Sequence, residues 1–569
     1  MLIDLLAWFY ISLICLVWGR LVLDLAGRIF HSRLELGLPL TCLAGLSLIG
    51  SCCLWLSLIT PLDGRIQAFL FLPVGIYLLN SKKRRSLFQD MRNSFSDLVP
   101  WAGIGLFLCL LLLLTLSAYR VSHPDTLAYH AQSVAWFRQY PAVPGLVHLR
   151  QELGFQSLWF ATLAAFSLPI RGLSTAFYLN GAVLSWFFIY VLRRLFPQDR
   201  RRAAAGAWGW LLLLVFSLFS WTDVRLTAAS ASPDFIVTLY LLAAIRLAWL
   251  HPVSKANRSE IWALSLFASA AVATKLSAVA ILILPILLLI FPGPNKNRRS
   301  SAVCLATVAI LLIPLLIRNY IASGYPLYPA RLGSFLEPDW KLPASKLDSF
   351  QEYITAYARF PVTRANTAAS LNLPGTAWIP LWWKHLAIAE RCLIASILLL
   401  VVLNLLFFRK WLRRSWISTL PIGIAVTSGV IFWFVKAPDP RFGEAWLIAL
   451  VCLLAAPWSQ AAERLSHSAS PGGLRMAFAL VCLGVFSYTV YRWTNFFEKG
   501  EWLVPAGVPS ASYRLNTYNG IKVSHPFPPD SNCAFSPVPC VGDSLPAFEF
   551  RGKTVERGFR GLRSPVEGN

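Results

Sequence analysis

Charged side chains are scarce in this chain. They make up 14% of its 569 residues, against 56% hydrophobic ones, and mean hydropathy is +0.58. A chain of this length could hold several soluble domains, but so little charge cannot cover their surfaces, and the composition belongs with polytopic membrane proteins. Acidic residues are scarcer still, 27 against 51 Lys and Arg, which leaves a net charge of +24. The sequence lacks a Walker phosphate loop, a Rossmann glycine fingerprint, an HExxH zinc helix and a GxSxG elbow. Nucleotide hydrolysis, dinucleotide redox chemistry and zincin proteolysis therefore lose their signatures, as does the nucleophile elbow. No internal repeat is strong enough to suggest a repeat architecture. Nine of the eleven cysteines fall in apolar runs, where they pack as small hydrophobes, and only Cys533 and Cys540 (NCAFSPVPC) lie in a polar stretch. One pair without a second pair or a histidine doublet completes no zinc site. It forms either a disulfide in an oxidising compartment or two free thiols.

Long apolar runs are what the chain has in quantity. Residues 101–118, 211–221, 276–292, 302–317 and 393–408 are nearly free of charge. A helix needs about 20 apolar residues to cross roughly 30 Å of hydrocarbon. With the more amphipathic stretches included, the expected fold is an all-α polytopic bundle of about 12–14 transmembrane helices. The positive charge sits in short loops, at 82–85, 193–194 with 200–202, 296–299 and 409–414. Every second loop is basic, which marks these loops as cytoplasmic and leaves no folded basic domain for nucleic acid. The same alternation sends the N-terminus, 119–155, 318–385, 435–444 and everything after 493 to the outer face. The first apolar run has no basic n-region and no small-residue cleavage site, so it reads as a retained span. The chain divides into three parts: N-terminal helices and a basic loop at 1–97, a membrane domain at 98–492 with outer loops 120–170 and 318–385, and an outer tail at 493–569. Within the first outer loop, FQSLWFATLAAFSL (155–168) is too short to cross and reads as an interfacial or re-entrant helix.

Chemistry concentrates at 122–155, which holds three of the eight histidines (His123, His130, His148) with Asp125, Arg138, Arg150 and Glu152. Ser122-His123-Pro124-Asp125 reads as a helix start. A helix continuing to about Gln139 would put Asp125, Tyr129, Gln132 and Trp136 on one face. Asp125 is then either a general base or metal ligand, or simply a first-turn acid favoured by the helix dipole. His130 is either part of that site or a satisfied core histidine. Lys275, Arg318 and Arg441 stand where apolar runs stop at the outer face. Ionisable groups at such depth often mark a substrate path, and Arg pairs bidentately with phosphate oxygens. The alternative is an interfacial anchor snorkelling to the headgroups, with Asp439 or Glu444 neutralising Arg441. Tyr325, Tyr328, Trp382 and Trp383 in the second outer loop offer flat faces for sugar rings.

PDTLAYHAQSVAWF (124–137), YPAVPGLVHLRQELGFQSLWF (140–160), KLS (275–277), RNYIASGYPLYP (318–329) and APDPRF (437–442), with NCAFSPVPC near the C-terminus, together resemble a family of uncharacterised bacterial polytopic membrane proteins. That family in turn resembles the GT-C glycosyltransferases, which include protein mannosyltransferases and aminoarabinose transferases. The resemblance implies transfer of a sugar from a polyprenyl-phosphate donor to a glycan, lipid or protein acceptor on the outer face of a bacterial inner membrane. It also implies a catalytic acid in the first outer loop. Asp125 occupies that place, with Tyr129, His130, Lys275, Arg318, Tyr325 and Arg441 as candidate substrate contacts and 155–168 as the second interfacial helix. The paired Asp-Glu common in mannosyltransferases is absent, since Thr126 follows Asp125, so a shared acceptor and a divalent cation are left open. The spans before Leu98 are extra relative to the usual GT-C start. Two other classes compete: a transporter or flippase of lipid-linked glycans, and an inactive GT-C-like assembly protein.

Overall fold

The computed structural model describes residues 1–562 except 33, 97–98, 120, 171–172, 196–203, 220–223, 251–257, 291–297, 361–372, 408, 466–470, 498–511, 528–531 and 543–547. The chain is largely helical. Its N-terminal part runs α1 (Leu2–Phe30), α2 (Leu38–Leu56), α3 (Ile66–Leu79), α4 (Ser81–Ser96) and α5 (Pro100–Ser117). After the first segment expected on the outer face, which contains α6 (Ala131–Gln139) and α7 (Leu158–Ala165), come α8 (Leu179–Leu195), α9 (Ala204–Phe219), α10 (Asp234–Leu250), α11 (Arg258–Thr274), α12 (Ile283–Ile290) and α13 (Arg298–Ser323). The second loop expected on the outer face carries α14 (Ala344–Arg359) and α15 (Ile379–His385). The chain then returns through α16 (Ile388–Phe407), α17 (Arg409–Lys436), α18 (Pro440–Leu465) and α19 (Pro471–Phe497).

Among the described residues, six helices are long and apolar enough to cross a membrane: α1, α2, α5, residues Ser301–Ser323 of α13, α16, and Gly473–Trp493 of α19. This is a multi-pass architecture. The larger expected number rested on shorter runs, which fold as helices such as α3, α8, α10 and α11, of 14 to 17 residues. α1 and α2 approach closely because both carry glycine at the crossing. A Cβ on Gly19 would sit 1.9 Å from the Thr41 carbonyl oxygen, and one on Gly45 would sit 1.8 Å from that of Cys15. Small residues at a contact let two backbones pack directly in lipid, where the hydrophobic effect does not drive helices together.

One end of the bundle is a polar layer. The α2–α3 turn joins it through Leu62 N–H donating to the Phe137 carbonyl at 2.8 Å. From there α3 spans roughly 20 Å at 1.5 Å per residue to the basic helix α4, where Lys83 faces Asp24 at 3.7 Å and Arg20 pairs with Asp90. Tyr10 meets Gln67 at the start of α3, so α1 runs alongside α3 and begins at the polar end. The tail packs into the same layer. Strands β3 (Tyr513–Tyr518) and β4 (Ile521–Pro526) form a hairpin closed by Asn519-Gly520, both at positive φ, the geometry that favours Asn-Gly in two-residue turns. Two smaller antiparallel pairs complete the strands, β1 (Pro169–Ile170) with β2 (Leu173–Ser174) and β5 (Phe548–Phe550) with β6 (Phe559–Gly561). Phe548, Phe550 and Phe559 share a buried cluster with Trp136 and Val143.

Of the two readings of 155–168, α7 fits a re-entrant helix rather than an interfacial one. All eight of its residues are buried, Ser157 caps it, and Leu158 and Thr162 press on Gly50 of α2. It is a short helix inserted among the others, apolar on every side, which is what burial on every side requires.

Candidate functional site

Three of the chain's five Pro-Asp steps begin helices that point at one spot. Pro124-Asp125 opens the first outer segment, Pro233-Asp234 starts α10, and Asp439 caps α18 with its Oδ1 accepting from the Arg441 N–H at 3.1 Å. Proline suits a first helical turn because its missing N–H is unneeded there, and aspartate suits it because the helix N-terminus is partly positive. These N-termini stabilise three carboxylates close together. Two cations bind them. Arg441 donates from Nη1 to Asp125 Oδ2 at 2.8 Å and lies 3.4 Å from Asp439. Lys275, at the start of the 3₁₀ turn Leu276–Leu282, donates to Asp234 Oδ1 at 2.5 Å. Phe442 links the pairs, its ring centre 3.8 Å from the Lys275 ammonium and 4.8 Å from the Arg441 guanidinium.

The supports are as definite as the cluster. Trp382 Nε1 donates to the Pro438 carbonyl at 2.8 Å and Trp433 Nε1 to that of Asp439 at 2.7 Å, fixing the turn that presents Asp439 and Arg441. Thr355 of α14 bonds the Lys436 carbonyl, laying α14 across this corner with Tyr357 in the field of Arg441 and Asp125. Asp125 keeps a quarter of its side chain exposed, so the cluster reaches solvent. Behind Arg441 lies a small recess, with free volume of about 10 Å³, lined by Phe216, Leu393, Pro440 and Leu447, with Glu390 and Glu444 at its wall.

The expected helix face does not form. Residues Thr126–His130 make a π-helical turn, with Ala131 N–H donating to the Thr126 carbonyl five residues back, before α6 resumes. The extra residue rotates α6 relative to Asp125. Asp125 turns to Arg441, Gln132 Nε2 donates to the Ala534 and Ser536 carbonyls, and Trp136 joins the tail cluster. His130 is buried beside His123 and Phe160, within 3.3 Å of the Thr126 hydroxyl, and Tyr129 packs on His130 and Phe155.

Of the three cations expected together, the structure brings Lys275 and Arg441 into one cluster and leaves Arg318 elsewhere. Arg318 is buried on the Phe137 ring, 3.7 Å from its centre, and donates to Gln156 Oε1 and the Ser57 carbonyl. It ties α13 to the outer segment. Tyr325 and Tyr328 are buried in a separate cluster, their hydroxyls donating to the Leu342 and Gln151 carbonyls. Trp382 is likewise buried, so these three rings offer no open face for a sugar. Glu152 is held by Arg150. Cys533 and Cys540 form a disulfide, Cα atoms 6.0 Å apart. Asp234 was missed, although Ser-Pro-Asp at 232–234 repeats the helix-start signal of 122–125.

The model of one protein family, described as a domain of unknown function (DUF8201), matches residues 1–448. The chain belongs to the DUF8201 family. No curated protein and no solved structure matches it. The DUF8201 match contains every residue of the cluster and ends inside α18, leaving α19 and the disulfide-bearing tail outside. It also takes in residues 1–97, which are therefore part of the family's own architecture rather than an addition to it.

Titration within the DUF8201 cluster follows from burial and pairing. Burial is the largest influence on Asp125 and pushes it up, yet Arg441, His130 and His123 together hold its carboxyl below the usual range. Asp439, more deeply buried, is pushed up despite Arg441. His130 is driven down to about 3, chiefly by burial, and His123 moves the same way. Both rings are therefore neutral near pH 7. Among the described residues no three His, Cys, Asp or Glu side chains are grouped as metal ligands.

Proposed function

We propose that this DUF8201 protein is a membrane glycosyltransferase of GT-C type that moves a sugar from a polyprenyl-phosphate donor to an acceptor hydroxyl at the polar end of the bundle. The observation that carries the reading is Asp125, a quarter exposed and held by Arg441, with Lys275–Asp234 nearby, at converging helix starts. Both cations are already paired, so a donor phosphate has to compete for them. Arriving at Arg441, it displaces Asp125, and the freed carboxylate becomes the base. Asp125 then takes the acceptor proton while the acceptor oxygen bonds to the anomeric carbon. The bond from that carbon to the phosphate oxygen breaks, and the phosphate keeps the electron pair, stabilised by Arg441 and Lys275.

The purified chain in proteoliposomes, given radiolabelled polyprenyl-phosphate sugars and an envelope extract as acceptor, releases polyprenyl phosphate. Asp125→Asn keeps shape and removes the base, lowering the rate by roughly 10²–10⁴-fold. A wild-type rate in that variant sinks the assignment. A second reading, movement of a lipid-linked glycan, draws on Lys275 standing where α11 stops and a 3₁₀ turn begins, since broken helices line transporter sites. Flipping of a fluorescent lipid-linked glycan without sugar transfer would select it.

A further inference from the structure

The second outer loop carries an apolar tip that covers nothing among the described residues. In the sequence LGSFL (332–336), Leu332 is 71% exposed, Phe335 91% and Leu336 63%. Gly333, at φ 79°, makes the turn, and Ser334 Oγ donates to the Gly324 carbonyl at 3.1 Å, seating the tip just beyond the end of α13. We propose that this tip inserts into the outer headgroup region of the bilayer and anchors the cap helix α14.

The tip continues the lipid-facing side of α13. That span is only 28% buried, and Leu305, Ile310, Ile313 and Ile317 are among its exposed residues, apolar to the helix end. Immediately above, Tyr320 and Trp340 meet edge to face, ring centres 6.3 Å apart, with Trp340 Nε1 donating to the Tyr320 carbonyl. Trp and Tyr paired at a span's end mark headgroup depth. The tip leaves the chain at that level between two ion pairs, Arg331 with Asp348 and Lys341 with Glu337 at 2.5 Å, which hold its two ends to the cap. Large exposed apolar side chains beside an aromatic pair at the end of a span are the composition of segments that lie in a membrane surface.

The anchor also has a mechanical connection. Arg331 pairs with Asp348 of α14 and donates to the Ala344 carbonyl at its start. The far end of α14 carries Thr355 and Tyr357 to the Asp125–Arg441 corner. A tip held at fixed depth thereby sets the height of the helix that crosses the cluster. The anchor works in this way whether or not the cluster transfers sugar.

Photocrosslinking tests it in the full chain. Phe335, 91% exposed, is replaced by benzoylphenylalanine, and the protein is irradiated in phosphatidylglycerol–phosphatidylethanolamine vesicles. Leu305 of α13 serves as the lipid-facing control and Tyr513 of β3 as the aqueous one. Mass spectrometry should find phospholipid adducts at 335 comparable to those at 305 and at least about tenfold above those at 513, as residence in the interface requires. Adduct levels equal to those at 513 would place the tip in water and overturn the proposal. Crosslinking to a second copy of the chain in place of lipid would overturn it too.

Discussion

Arg441 holds Asp125 and lies against Asp439, so removing its charge changes how Asp125 titrates. In Arg441→Gln the burial that pushes Asp125 up is no longer opposed by its strongest partner. The acid limb of the pH–rate profile should then move up by roughly one to three pH units, along with a loss of rate from the missing phosphate contact. An unmoved limb would mean that Asp125 is not the titrating group. His130 gives a stability prediction of definite sign. Its ring stays neutral in the fold to about pH 3 and regains a value near 6.5 on unfolding. Below pH 6.5 the unfolded chain binds more protons, so stability is complete above that value and declines as pH falls toward 3. Thermal unfolding in detergent from pH 8 to 5 should show the decline, at most about 1.4 kcal/mol per pH unit for one group. His130→Phe should flatten it, and an unchanged slope would refute the assignment. Sequence already singled out Asp125, Lys275 and Arg441, because charge at the end of an apolar run is visible as a pattern. Such a pattern reports depth and not azimuth, which is why Arg318, equally deep, stacks on Phe137 instead.

The element that sets Asp125 is the π turn, and the tail holds that turn. Ala534 N–H donates to the Leu127 carbonyl, Gln132 bonds two carbonyls of the 533–540 loop, and Phe535 packs edge to face on Phe177. The Cys533–Cys540 bridge closes that loop. Replacing both cysteines with serine should lower stability by about 2–3 kcal/mol, the entropy of so short a loop. It should also lower transfer activity, because the turn bearing Asp125 loses its clamp. Thermal unfolding and donor turnover with and without reductant check both effects. Reduced protein that melts and turns over like oxidised protein would make the tail a bystander. Pro-Asp announced the helix start in the sequence, but nothing in composition announces a five-residue turn. An i→i+5 bond is selected by what packs around it, here the buried His130 and a tail some 400 residues away.

At the scale of the whole chain, polarity separates into two ends. The first outer segment, the loop after α13 and the tail are bonded to one another: His148 to the Trp340 carbonyl, the Phe559 N–H to the Pro144 carbonyl, and Arg551 to Asp339. The basic helix α4 lies at the other end of α3, against the end of α1. The alternation of basic loops led to the expectation that α4 faces the cytoplasm and the polar layer the outside, because short cytoplasmic loops keep their Lys and Arg. The helices between were legible as apolar runs, while their packing partners were not, since lipid-facing and protein-facing positions are equally apolar. Sidedness itself can be measured with a membrane-impermeant maleimide. Asn516→Cys on β3 and Arg85→Cys on α4 place thiols at exposed positions of the two ends. The parent chain supplies the background from Cys392 and Cys452, which are exposed on helices and react slowly if lipid covers them. In right-side-out vesicles Asn516→Cys should label at once and Arg85→Cys only after permeabilisation. Labelling of the second from outside would invert the topology and move the Asp125 cluster to the cytoplasmic face, where the donor proposed for it would have to be presented from the opposite leaflet.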